Sequence, residues 1–266
     1  MEHPENPLEV TVLMSVYHEP KEYLKQAMDS ILNQTYHDFE FLIIDDGNNQ
    51  DLVALVEEYH DDRIRLIHNE KNLGLEKSLN KGLKLAKGKY LVRMDADDIA
   101  YVDRIEKQVS FIKDNPQYAI VSGNVEIFDE NGVYGTTKNA GEKTKYDLVK
   151  ETPFVHPTMM IQKEALQTIG GYPSYHRCED YAMAMEMYAH GYVGFVMKDI
   201  LLKYRMNAEG YQKKKYKNRV IEAKVRWDYF RKLHVKWYHY LFVLKPLIVG
   251  LIPKRVLKKI HEKRFG

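Results

Sequence analysis

Along the first two thirds of the chain, hydrophobic positions recur at two spacings that take turns. Val10–Val16 is an apolar, β-branched run that predicts a buried strand. Glu19-Pro20 then opens a helix, with proline near the first turn where its missing N–H does no harm. Leu24, Ala27/Met28 and Ile31/Leu32 form that helix's apolar stripe. Phe39–Ile44 predicts a second strand that stops abruptly at Asp45-Asp46-Gly47-Asn48-Asn49, followed by a helix over roughly 51–59 and a strand at Arg63–Ile67. Leu75, Leu79, Leu83 and Ala86 mark another amphipathic helix, ended by Gly88. The strand Tyr90–Met94 runs straight into Asp95-Ala96-Asp97-Asp98, and a helix carrying Ile105, Val109 and Ile112 leads to a strand at Tyr118–Ser122.

This β-α-β-α-β order predicts an α/β fold, a mostly parallel, Rossmann-like sheet flanked by helices. Right-handed crossovers would bring the strand ends, and the loops after them, to one edge of that sheet. After position 123 the pattern loosens. Val125–Phe128 and Val133–Thr136 around Glu130-Asn131-Gly132 predict a hairpin. Thr158–Gln162 reads as a strand and Glu164–Ile169 as a short helix closed by Gly170-Gly171. Asp180–His190 reads as a helix stopped by Gly191, and two short strands, Val193–Met197 and Leu201–Met206, follow.

Charge divides the chain in two. The net charge of +2 conceals 17 Lys/Arg against three Asp/Glu from Lys213 to Gly266, and 23 Lys/Arg against 35 Asp/Glu before it. An acidic body and a basic tail face different partners. The one cysteine, Cys178, excludes an intrachain disulfide framework and fits a reducing, cytoplasmic compartment. The polar, acidic opening has neither the basic leader nor the apolar core of a signal peptide.

Three places carry candidate chemistry. Asp95, Asp97 and Asp98 crowd three carboxylates at a strand end, where they repel one another unless a cation or hydrogen bonds offset them. Hard oxygen ligands suit Mg2+ or Mn2+; the same residues also suit a solvated acidic turn that caps the next helix. Asp45-Asp46-Gly47 is a second acidic strand end, able to hydrogen-bond a base or ribose, or simply an Asp/Gly turn. Glu179-Asp180 opens the helix of 180–190, where the macrodipole would lower a carboxylate pKa; it fits an N-terminal cap or a general base. The sequence has no G-x-G-x-x-G, no P-loop, no zinc-spaced Cys/His set and no G-x-S-x-G.

Taken in order, VTVLMSVYHEP, SILNQTYHDFEFLIIDDG, NLGLEKSLNKGLKLAKGKYLVRMDADD, DRIEKQ, HPTMMIQKEALQTIGGY and EDYAMAMEMYAHG resemble the family-2 glycosyltransferases with a GT-A fold, over about residues 10–205. The resemblance implies an inverting, metal-dependent hexosyltransferase that moves a sugar from a UDP- or dTDP-linked donor to a hydroxyl, in surface polysaccharide or glycoconjugate synthesis. It implies that Ser15, Tyr17, Glu19 and Asp46 contact base and ribose with Asp45 supporting. Asp95-Ala96-Asp97 would be the D-x-D element at the donor nucleotide, with Asp97 or Asp98 on the cation. Asp180 would be the catalytic base, beside Glu179 and His156 at the sugar or acceptor pocket. Two positions depart from the family pattern: His18 stands where Asn is usual, and Asn48-Asn49 replace Ser-x-Asp.

The resemblance also divides the chain into a GT-A domain at 1–212, with a nucleotide half at about 8–123 and an acceptor half at about 124–212, and a basic helical extension at 213–266. The apolar run Tyr240–Ile252 is too short to span a bilayer, which takes about 20 residues. Lys and Arg interleaved with Trp227, Tyr229, Trp237 and Tyr240 predict peripheral attachment to an anionic membrane surface on its cytoplasmic face, which would suit a lipid-linked acceptor. The other arrangement is a tail packed back on the acidic body. Nucleic acid is not expected, because no recognised binding module accompanies the charge. Two other functions compete. A sugar-1-phosphate nucleotidyltransferase would open with a glycine-rich basic loop, which SVYHEP lacks; a non-catalytic sugar- or lipid-binding scaffold would not need the acidic residues.

Overall fold

The structure, a computed structural model, describes residues 8–206 and 216–252. A single sheet organises them. Strand β1 (Val10–Val16) lies between β2 (Phe39–Asp45) and β4 (Tyr90–Asp95), parallel to both, and β3 (Ile64–His68) extends the parallel set beyond β2. Helices α1 (Lys21–Leu32), α2 (Gln50–Tyr59) and α3 (Leu75–Leu85) make the crossovers. Side chains alternate across a strand, so Val10, Val12, Met14 and Val16 join one core under α1, α2 and α4 (Arg104–Asp114), whereas Leu13 joins the other. Because helices cover both faces, every residue of β2 is buried.

The second half departs from the simple order. Strand β6 runs unbroken from Tyr118 to Asp129, so the predicted strands on either side of Gly123 are one; β7 (Gly132–Thr136) returns along it as the expected hairpin. Similarly, β10 (Val193–Arg205) is continuous, absorbing its irregularities as register shifts against β6. Between β4 and β6 sits β9 (Met160–Gln162), antiparallel to both. It follows a 3-10 turn at His156–Thr158, so the strand expected from Thr158 begins two residues later, at Met160. The short β5 (Ile99–Ala100), β8 (Gly141–Lys143) and α5 (Lys145–Lys150) carry too few residues for any period to show.

Helices α6 (Lys163–Thr168) and α7 (Glu179–Ala189) close the second face. The basic segment then packs onto them. In α8 (Tyr216–Lys232), Val225, Tyr229 and Phe230 are buried in the second core, spaced so that one helical face turns inward. A 3-10 turn at Trp237–Tyr240 leads to α9 (Leu241–Leu251), which tolerates Pro246 in its interior at the loss of one backbone hydrogen bond. Among the described residues, no helix is long and apolar enough to cross a membrane. Lys213–Lys215 and the basic residues after 252 lie outside the described residues.

Candidate active site

The parallel register sets the carboxyl edge of the sheet. Val16 pairs with Asp45, Asp45 with His68, and Ser15 with Asp95, so the strand ends that the sequence marked as acidic finish level with one another. Their carboxylates have different occupations. Asp45 is fully buried; its side chain accepts the N–H groups of Gly47 at 3.0 Å and Asn49 at 3.1 Å and lies 2.9 Å from His68 Nδ1. It shapes the turn from within.

Asp46, also buried, accepts from Asn69 Nδ2 and the Leu73 N–H, both at 2.7 Å, and from the Gly74 N–H at 2.8 Å. Its carboxylate thereby ties the loop 69–74 to the edge, with three protein donors already on it. Tyr17 is 45% exposed above this turn, and its N–H donates to Glu19 Oε2 at 2.7 Å.

At the end of β4, carboxylate oxygens of Asp95, Asp97 and Asp98 lie within 4.8 Å of one another. Their crowding has an electrostatic consequence. Burial, then repulsion from Asp95 and Glu19, raises the pKa of Asp97 to about 6. Burial, then Asp95 and Asp97, pushes Asp98 well above the usual carboxylate range. Asp98 Oδ1 accepts the Arg205 N–H at 2.8 Å, while its Oδ2 is buried with no hydrogen-bond partner among the described residues. A hard divalent cation answers each of these conditions, since it offsets the repulsion and takes an oxygen that otherwise has none.

Beneath the cluster lies Arg93, 2% exposed, its Nη1 2.5 Å from Asp95 Oδ2. Burial pulls its pKa down, but Asp95 more than offsets this and the guanidinium stays charged. Buried Arg104 adds a second cation; its Nη2 donates to the Arg93 carbonyl at 2.8 Å, and burial lowers its pKa to about 9. The 3-10 turn at 156–158 is pinned to the same strand, because the Arg93 N–H donates to the Met159 carbonyl at 2.9 Å. His156 Nε2 lies 3.3 Å from the Tyr172 hydroxyl, and burial, then the charge of Arg93, keeps the imidazole neutral.

Glu179 and Asp180 are the first two residues of α7, with Cys178 as the N-cap. The dipole at the helix start was expected to lower the Asp180 pKa. Burial outweighs it: the pKa is raised, opposed by the Tyr181 N–H and by Arg93, and raised further by Asp95. Glu179 is raised too, by burial first. Asp95, Asp97, Asp98, His156, Glu179 and Asp180 therefore all feel the charge of Arg93.

The sequence reading did not single out Arg93, although a charged residue inside YLVRMD, two places before Asp95 and so on the same face, is itself a signal. Arg205 was missed as well. Its Nε donates to the Asp97 carbonyl at 2.7 Å, its Nη2 to Gln26 Oε1 at 2.6 Å, and its guanidinium lies 4.0 Å from the centre of the Tyr23 ring. It fastens the acidic turn to α1.

An acidic cluster at the carboxyl edge of a mostly parallel sheet, with a second carboxylate pair at the start of a later helix, fits the class of nucleotide-sugar transferases of the GT-A type. The description Glycosyl transferase family 2 matches residues 11–170, and the chain belongs to that family. It is 31% identical over 96% of its length to EpsE of Bacillus subtilis (strain 168), which bears the provisional name of a glycosyltransferase; the match covers 94% of EpsE. It is 28% identical to the amylovoran biosynthesis glycosyltransferase AmsE of Erwinia amylovora, over 95% of this chain and 98% of AmsE. With a UDP-Gal:alpha-D-GlcNAc-diphosphoundecaprenol beta-1,3-galactosyltransferase of Escherichia coli it shares 27% identity, over 95% of each chain. The fold matches that of the mannosyltransferase PcManGT from Pyrobaculum calidifontis, solved with GDP-Man and Mn2+, at a TM-score of 0.65 and 19% identity, over 97% of this chain and 80% of that one.

Proposed function

We propose that this glycosyltransferase moves a hexose from a UDP-linked donor to a hydroxyl of a lipid-linked saccharide, with inversion, in the assembly of a bacterial surface polysaccharide. The names of the amylovoran and diphosphoundecaprenol relatives support the substrate classes. One observation supports the chemistry: the acidic cluster and Asp180 both respond to the same buried guanidinium, Arg93, as a base and a cluster working at one cleft would.

In this reading Ser15, Tyr17 and Glu19 line the nucleotide, and Asp45 and Asp46 hold the turns that bound it. Asp95 faces the donor from its pair with Arg93. Asp97 and Asp98 would hold Mg2+ or Mn2+, which when bound offsets charge gathering on the diphosphate. Asp180 accepts the acceptor's hydroxyl proton, and its raised pKa makes it the better base. The acceptor oxygen bonds to the anomeric carbon as the bond to the diphosphate breaks, and the diphosphate leaves with the electron pair. Because the attack comes from the opposite face, an α-linked donor gives a β-linked product. His156 and Glu179 border the sugar. The basic C-terminal segment faces an anionic membrane on its cytoplasmic side.

Two variants test the assignment. Asp180→Asn is expected to lower transfer by about 10²–10⁴-fold while UDP binding persists; Asp97→Ala is expected to abolish the cation dependence of UDP binding. Near-normal transfer by the first, or parental cation-dependent binding by the second, would overturn the roles. Screening UDP- and dTDP-sugars for cation-stimulated hydrolysis names the donor.

A further inference from the structure

The C-terminal helices lie between two expectations. Half of the segment is core: α8 buries Val225, Tyr229 and Phe230, and its buried Arg226 donates to the Val149 carbonyl at 2.5 Å. The other half is not. In α9, Pro246 is buried toward the body, but Leu241, Leu244, Ile248 and Leu251 are 69%, 50%, 60% and 74% exposed. Their spacing of three, four and three residues puts them on one face, and Trp237, 82% exposed, stands four residues before the first. Scattered exposed apolar residues need no explanation, but a stripe of four on one face of a helix, preceded by an exposed tryptophan in the 3-10 turn before it, does. No other described element covers it.

We infer that this stripe is the face on which the protein lies against an anionic bilayer, with α9 in the interfacial plane. This rests on the proposed lipid-linked acceptor for its purpose, but not for its physics. Charge identifies the occupant. The segment from Lys213 to Gly266 holds 17 Lys/Arg against three Asp/Glu, and Lys236, next to Trp237, is exposed, while Lys245 donates to the Lys150 carbonyl at 2.7 Å. Apolar residues and tryptophan amid basic residues match the acyl boundary and phosphate layer of such a membrane. A second copy of the chain would bring two such basic segments together, which their repulsion opposes.

Helices α8 and α9 run antiparallel, so Gly250 lies against Tyr216 and Arg219. Helix α8 also packs against α7, so the stripe is carried, through α8, on the helix that bears Asp180.

Flotation of the full chain with vesicles of phosphatidylglycerol and phosphatidylcholine tests this. The parent should bind, and a Leu244→Glu/Ile248→Glu variant should partition roughly tenfold less, while cation-dependent UDP binding, a readout of the transferase reading alone, is unchanged. A second measurement needs no disturbance of the stripe. With Trp227→Phe, Trp237 is the one remaining tryptophan, and brominated acyl chains should quench it. Equal vesicle binding by parent and variant would overturn the inference, leaving attraction by charge alone; so would unquenched Trp237, or a parental dimer that the variant dissolves.

Discussion

Arg93 Nη1 stands 2.5 Å from Asp95 Oδ2, and the two side chains are unequally placed: 3% of the arginine side chain is exposed against 31% of the aspartate. The arginine cation beside the acidic cluster therefore lies inside the protein, while Asp95 and Asp97 reach the surface and Asp98 is buried with it. Removing the buried partner leaves the other charge uncompensated, at a cost below the roughly 3–5 kcal/mol of a fully buried pair because Asp95 is partly hydrated. For Arg93→Met the loss should be largest where the carboxylates are ionised. Urea unfolding should show a deficit at about pH 8 that shrinks at about pH 5, where protonation relieves the crowding. Equal deficits at both would mean that arginine acts through packing, not charge.

The raised pKa of Asp97 predicts a linkage with a definite sign. Its pKa lies at about 6 in the folded chain against 3.8 for an unperturbed aspartate. Between those values the metal-free folded protein keeps a proton that the unfolded chain releases. The associated stability is present at the acidic end and lost as pH rises through about 6. Asp97→Asn removes this liability. The variant's Tm should exceed the parent's by a margin that grows as pH rises through that window, provided a chelator is present. A margin independent of pH would show that Asp97 is not held protonated by its neighbours.

The acidic ends of β2 and β4 were legible in the sequence because an abrupt change from apolar to carboxylate residues marks a strand reaching solvent. The period-two and helical spacings located the crossovers of the first half for the same local reason. What escaped depends on distance along the chain. Arg205 lies 107 residues from Asp98 and 108 from Asp97, the residues it engages, and no local pattern encodes such pairs. The antiparallel β9 spans only Met160–Gln162, too short to display a period, and it was joined to the turn before it. The direction of the Asp180 shift was misjudged because the helix dipole can be read from sequence and desolvation cannot.

Asp46 offers a test of how the second strand end works. Its two oxygens accept from Asn69, Leu73 and Gly74, joining a strand end to a loop 23 to 28 residues away. Asp46→Ala leaves the part-buried Leu73 and Gly74 N–H groups without their acceptor, while Asn69 keeps its bond to Ser78; the cost falls toward the low end of the roughly 1–3 kcal/mol of an unsatisfied buried group. Amide exchange at Leu73 and Gly74 should accelerate selectively, with UDP affinity falling as the loop loosens. Protection of both amides at the parental level would show that the loop holds its form without the carboxylate.

Gly47 sets how closely the two turns at the carboxyl edge can approach. A Cβ built there would lie 2.1 Å from the Tyr17 carbonyl oxygen and 3.2 Å from Cδ2 of its ring. The nearest atom is backbone, so rotation of a side chain cannot relieve the overlap. Gly47→Ala must displace either its own turn, held by Asp45, or the Tyr17 turn, held by the bond from the Tyr17 N–H to Glu19. The second is the easier to move, because beyond the Asp46 N–H bond to the Val16 carbonyl it is tied by the exposed Tyr17–Glu19 bond, whereas Asp45 is fully buried. Overpacking of this kind costs about 1–3 kcal/mol, but binding should suffer more than stability, since Tyr17 leaves its position beside the nucleotide. Isothermal titration with UDP and Mn2+ should show affinity reduced by roughly tenfold or more, about 1.4 kcal/mol. If affinity is parental in a folded variant, Tyr17 does not line the nucleotide, and Ser15 and Glu19 must bound it without the ring.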